Sequence, residues 1–176
     1  AHGYAALKMG DPTAKLSGRL SMNPLAHMDI VGALSMLIFG FGWAKPVPIN
    51  PNNFKNHKKG TVIVSLAGPI SNLFLAFLGS VLYGIFRRIG FGNFSSRFSE
   101  IFYGLLAQLI LLNVCFGIFN LVPFPPLDGA KIVGAFLPYK TYFKIMQYER
   151  YAFPILIVLM YLGIFDKILG VLITPI

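Results

Sequence analysis

Acidic side chains are scarce. Six Asp and Glu stand against 15 Lys and Arg in 176 residues, and charged residues of both signs make up only 12% of the chain. Soluble domains carry about 25% charged residues, so an ordinary water-soluble domain is excluded. Cysteine is nearly absent. Cys115 stands alone inside an apolar run, which rules out a disulfide framework and reads as a small buried apolar residue. The chain has no internal repeat, low-complexity tract, signal peptide, PDZ-like sensor or other soluble domain that the sequence reveals. The net charge of +9 would point to nucleic acid only if the cations clustered on a soluble face. They sit between apolar runs instead, as in loops beside anionic lipid, so no nucleic-acid partner is expected.

Apolar residues make up 56% of the chain, and mean hydropathy is +0.69. Residues 61–86 form one long apolar run, residues 101–119 a second that runs on to 124, and residues 152–173 a third. Each is long enough for a transmembrane helix, which needs about 20 apolar residues. Residues 30–43 are apolar but short and hold Gly32, Gly40 and Gly42. This pattern predicts a re-entrant element whose backbone is buried in protein or lines a cavity, with Trp43 as an interfacial anchor. Residues 13–29 alternate imperfectly and predict one or two short strands or an interfacial hairpin. Residues 130–150 read as an interfacial amphipathic helix interrupted at Pro138. The first ten residues read as the end of a helix stopped at Gly10. Since Ala1 to Leu7 look like mid-helix, the chain is expected to begin inside a larger protein.

The expected fold is therefore an all-α polytopic membrane protein. It is a multi-helix transmembrane bundle forming one domain over residues 1–176, with a hairpin or re-entrant region at 12–43 between the first two core helices. Basic residues set its orientation. Arg87, Arg88, Arg97 and Lys167 fall on one side, and the other 11 of 15 on the side of loop 44–60. The basic side is expected to be cytoplasmic.

The segment that carries chemistry is Asn-Leu-Val-Pro-Phe-Pro-Pro-Leu-Asp-Gly, from Asn120 to Gly129. Pro123, Pro125 and Pro126 end the preceding helix. Asp128 is then an ionisable group beside a membrane span, by default a functional-site candidate that needs a partner. Read alone, Asp128-Gly129 also fits an ordinary turn. His2 lies on a helix running towards the same side. Imidazole nitrogen and carboxylate oxygen suit zinc, and a catalytic zinc site uses three protein ligands. A third ligand is missing. His27 and His57 lie in polar surroundings and read as loop or interfacial histidines.

The 120–129 segment resembles the second signature of the site-2 protease family of intramembrane zinc metalloproteases. Ala-His-Gly-Tyr-Ala-Ala at residues 1–6 resembles the end of that family's His-Glu-x-x-His signature, with His2 as the second histidine. Gly-Asp-Pro-Thr-Ala at 10–14, Gly-Arg-Leu at 18–20, Asn-Pro-Leu-Ala-His-Met-Asp at 23–29, Gly-Trp-Ala-Lys-Pro-Val-Pro at 42–48 and Ala-Gly-Pro-Ile-Ser-Asn at 67–72 resemble the bacterial branch. The resemblance implies zinc-assisted hydrolysis of membrane-anchored protein substrates in a bacterial inner membrane, at a site open to the cytoplasm. It implies His2 and Asp128 as zinc ligands, Asn120 as a contact to the scissile carbonyl or its oxyanion, and Asn72 as a weaker substrate-binding candidate. The family's catalytic glutamate and first histidine fall before Ala1. An inactive membrane scaffold of the same fold is the alternative. A small transporter would explain broken spans but not the proline-rich motif.

Overall fold

A computed structural model describes residues 1–21, 23–39, 42–90 and 96–138, with 141, 151, 155, 158, 162 and 163. The described residues are mostly helical: α1 (His2–Lys8), α2 (Thr13–Leu16), α3 (Ile30–Phe39), α4 (His57–Arg88), α5 (Ser96–Asn120) and α6 (Asp128–Gly134). The chain divides into two compact units, Ala1–Ala67 and Gly68–Ile176, with the boundary inside α4.

In the first unit, α1 and α2 end in the same way. Gly10 and Gly18 adopt left-handed backbone, with φ of 106° and 65°. After α1, the Asp11 N–H reaches the Ala6 carbonyl and the Gly10 N–H the Leu7 carbonyl. After α2, the Arg19 N–H reaches Ala14 and the Gly18 N–H reaches Lys15. This is the Schellman pattern, and glycine takes the left-handed position without a Cβ penalty. Each glycine turns the charged residue after it into the protein, so Asp11 and Arg19 are both buried.

Asp11 accepts hydrogen bonds from Asn50 N (2.8 Å), Asn53 Nδ2 (2.8 Å), Thr13 N (3.1 Å) and the Thr13 hydroxyl. It thereby ties the α1–α2 turn to the 3-10 turn Pro51–Asn53. Burial pushes its carboxyl up, but the bonds from Thr13, Asn53 and Asn50 outweigh this and hold it below the usual carboxylate value. Beneath this staple lies a small apolar core of Ala6, Phe54 and Val64, flanked by Ala5, Met9 and Ile49.

The hairpin expected over residues 13–29 takes another form. The described residues there hold α2 and the 3-10 turn Pro24–Ala26, and no strand occurs among the described residues. Among the described residues sheet-like pairing is limited to one antiparallel bridge, Met28 with Ala44. The imperfect alternation of 13–29 is explained by two short helical turns, each stopped by a turn residue. Residues 42–45 return beside the start of α3: the Lys45 N–H donates to the His27 carbonyl, and Gly32 meets the Trp43 main chain. The Arg19 guanidinium bonds the carbonyls of Ala26, Lys45 and Pro46, closing the neck of this excursion from both limbs. Its Nε has no partner among the described residues. On α3, Ile30, Val31, Leu34, Leu37 and Ile38 are exposed.

Among the described residues two helices are long and apolar enough to cross a membrane, His57–Arg88 and the Arg97–Asn120 part of α5. At 1.5 Å per residue they measure about 48 Å and 36 Å, against a hydrocarbon core of about 30 Å. In the second unit they pack antiparallel. Tyr83 meets Tyr103 and Phe86 meets Phe102 edge to face, with centroids 5.1 and 5.2 Å apart. Further along, Gly79 faces Ile110, and Gly117 faces Pro69 and Leu73. Phe74, Phe77, Leu105 and Phe116 are exposed on these helices. Helices apolar all round are buried or membrane-spanning, and these two fit a membrane protein. The run expected to extend to 124 ends as a helix at Asn120, because Pro123, Pro125 and Pro126 have no N–H to continue the ladder. Of the 152–173 span only residues 155, 158, 162 and 163 are described, and of the 130–150 helix only 130–138 and 141, so both expectations lie largely outside the described residues.

Candidate functional site

His2 sits at the start of α1, half-buried. Its Nδ1 lies 2.8 Å from the Val64 carbonyl oxygen. A carbonyl only accepts, so Nδ1 carries the proton, and the lone pair of the neutral ring is on Nε2. An imidazole ligand needs this arrangement: one nitrogen donates to a fixed outer group and the other faces the metal. Val64 belongs to α4 just before Pro69, which has no N–H to offer the Ser65 carbonyl. Ala6, buried on α1, packs with Val64 of α4 in the small apolar core, while Gly3 faces Ala14, Leu20 and Val47. The sequence motifs do not reveal Val64. Its role comes from a main-chain atom, which any residue type supplies.

In the second unit, the 120–129 segment is a compact turn. Leu121 N bonds Ile118 O (3.0 Å), Val122 N bonds Phe119 O (3.1 Å), and Leu127 N bonds Phe124 O (2.9 Å) across a cis Pro125–Pro126 bond. The chain then reverses so tightly that a Cβ on Gly129 would strike the main chain of Leu121 and Val122. Leu127 is buried behind the turn, with Gly129 and Ala130. Asp128 is thereby set in the first turn of α6, where a negative charge is favoured by the helix dipole.

Asn72 and Asn120 lie at the same end of the α4–α5 pair, on either side of the Gly117 contact with Pro69 and Leu73. The third asparagine of these helices, Asn113, donates to the Leu109 carbonyl of its own helix (2.9 Å), as Ser71 and Ser80 do to Gly68 and Ala76. The half-buried amides of Asn72 and Asn120 make no hydrogen bond among the described residues. His27 bonds the Ser21 carbonyl through Nε2 at 2.9 Å. His57 is exposed at the start of α4.

The donor types fit zinc, and the His2–Val64 bond supplies the tautomer that zinc needs. His2 belongs to the first unit, and Asn72, Asn120 and Asp128 to the second. Among the described residues no three His, Cys, Asp or Glu side chains form a metal-holding group.

Residues 87–163 match the family described as Peptidase family M50. The chain is 42% identical over 162 residues to the Bacillus subtilis protein named "Putative zinc metalloprotease YwhC", covering 90% of this chain and 72% of that one. It is 30% identical over 164 residues to the Mycolicibacterium smegmatis protein named "Putative zinc metalloprotease Rip2", covering 90% of this chain and 60% of that one. No solved structure matches it. The motif at 120–129, the two apolar helices and these relatives agree, and the chain belongs to the site-2 protease family, peptidase family M50.

Proposed function

We propose that this chain is the membrane-embedded catalytic part of a zinc metalloendopeptidase that hydrolyses peptide bonds of membrane-anchored protein substrates. The observation that carries the reading is the His2 Nδ1–Val64 bond, a support of the kind that metal-binding imidazoles use. Family membership and the metalloprotease names of two relatives favour the same chemistry.

In this reading His2 and Asp128 hold the zinc, with a further histidine from the residues that precede Ala1 in the family's pattern. Bound zinc supplies Lewis acidity towards the scissile carbonyl and lowers the pKa of its water. The glutamate that accepts the proton belongs to the same preceding segment. Asn120 and Asn72 contribute amide donors that are not spent on their own helices. Asn120 steadies the oxyanion and Asn72 the substrate main chain, because donors aimed at developing charge act most strongly where water is excluded. The protease works in the bacterial inner membrane with its site open to the cytoplasm, the side that holds 11 of the 15 basic residues.

Zinc content and cleavage of a membrane-anchored substrate test this in the intact protein. Asp128→Ala is expected to lose both. Retained zinc and retained cleavage in that variant would overturn the assignment.

A further inference from the structure

Arg87 and Arg88 in the last turn of α4 and Arg97 in the first turn of α5 lie towards the end of the α4–α5 pair remote from Asp128. Their side chains are exposed and make no hydrogen bond or ion pair among the described residues. The only acidic residue in 87–100 is Glu100. Arg87 and Arg88 in the last turn of α4 balance that helix's dipole, but Arg97 stands in the first turn of α5, where a cation is disfavoured. Helix stability therefore does not account for the cluster. Membrane orientation does not account for it either, since these three are most of the four basic residues on the cation-poor side.

Aromatic packing joins the helix ends that carry the arginines, through the Phe86–Phe102 contact. Phe102 meets Phe86, Phe98 and Tyr103, with centroids 5.2, 6.4 and 5.5 Å apart. This pins the end of α4 against the start of α5. α4 ends at Arg88, just before Gly90, whose φ is 70°. On the same helix ends, next to the arginines in sequence, Ile85, Ile89 and Phe98 present exposed apolar surface. A ligand that covers both parts needs an anionic head and an apolar body.

We propose that this end of the α4–α5 pair binds an anionic phospholipid, with Arg87, Arg88 and Arg97 on the headgroup phosphate and Ile85, Ile89 and Phe98 along the acyl chains. Guanidinium is suited to the role because its planar fork matches phosphate oxygens in pairs and it stacks on aromatic rings. A free phosphate would leave the apolar wall uncovered. So would a hydrophilic acidic peptide.

The test uses the intact protein in nanodiscs of phosphatidylcholine containing a minor fraction of phosphatidylglycerol, with retained lipid read by native mass spectrometry. The wild type is expected to retain phosphatidylglycerol selectively. The R87Q/R88Q/R97Q variant is expected to bind it roughly a hundredfold more weakly at low salt, and R87K/R88K/R97K is expected to fall between. If the glutamine variant does not fold, a salt titration of the wild type decides. Selectivity that falls steeply as the screening length shortens supports the site, and salt-independent retention overturns it. No selectivity in the wild type, unchanged retention in a folded glutamine variant, or displacement of the lipid by inorganic phosphate alone would also overturn it.

Discussion

The Nδ1 of His2 donates to the main-chain carbonyl of Val64 at 2.8 Å, so a residue on α4 sets the tautomer of a ring on α1. Ala6, fully buried on the same short helix, packs in the core beside Val64. The spacing of the two helices thus controls the imidazole. Ala6→Leu is expected to overpack this contact at a cost of about 1–3 kcal/mol. Zinc affinity should fall about 10–100-fold with every ligand still present, and competition with a zinc chelator measures it. Unchanged affinity would show that Val64 does not orient the ring.

Asp11 makes stability depend on acid. Its carboxyl lies below the ordinary value, so the folded state binds protons less readily than the unfolded chain. The stabilisation is fully present above about pH 4 and is lost as pH falls through the lower folded value. Asp11→Asn replaces an acceptor of four bonds with a group that is half donor. We expect about 1–3 kcal/mol of destabilisation at neutral pH, and a weaker loss of stability on acidification than in the wild type. Thermal unfolding across pH 2–7, roughly the range over which carboxylates titrate, reads both.

The arginine at the neck of the 28–44 excursion should be hard to replace. Arg19→Met keeps an unbranched apolar stem but leaves the carbonyls of Ala26, Lys45 and Pro46 without their donor. A loss of about 2–4 kcal/mol is expected, with earlier proteolytic cutting between residues 26 and 46. Arg19→Lys should recover only part of it, since a single ammonium does not span both limbs as a planar fork does. Equal protease resistance in all three proteins would dismiss the latch.

Gly129→Ala probes the reversal that sets Asp128. Its methyl would enter the main chain of Leu121 and Val122, which is less able to yield than a flexible side chain. The expected result is loss of zinc and cleavage at nearly unchanged helix content, measured by metal analysis and circular dichroism together. A variant that keeps full zinc would mean that the tight turn is dispensable.

Asn120→Ala separates holding the metal from steadying the oxyanion. Zinc content should be unchanged while kcat falls about a hundredfold, as for loss of one oxyanion donor. Asn113→Ala, at an amide already bonded to Leu109, serves as the contrast and should leave kcat near the wild-type value. Similar rates for both variants would remove Asn120 from the reaction.

By itself the sequence determined the character of the elements. Long apolar runs specify α4 and α5 because helices satisfy their own backbone where water is absent, and three prolines specify a stop after Asn120 because they cannot donate. The resemblance to site-2 proteases was equally legible, since the 120–129 motif combines residue types whose geometric roles are local. The tertiary structure decided what depends on atoms distant in sequence or not distinguished by residue type. The alternation at 13–29 did not reveal α2, because four residues are too few to establish a period. Asp11 and Arg19 have no evident partner in the sequence until residues 50–53 fold beside the first and residues 26 and 45–46 beside the second. The outer support of His2 was invisible for a simpler reason: it is a backbone carbonyl, and only the packing of α1 on α4 selects Val64 to provide it.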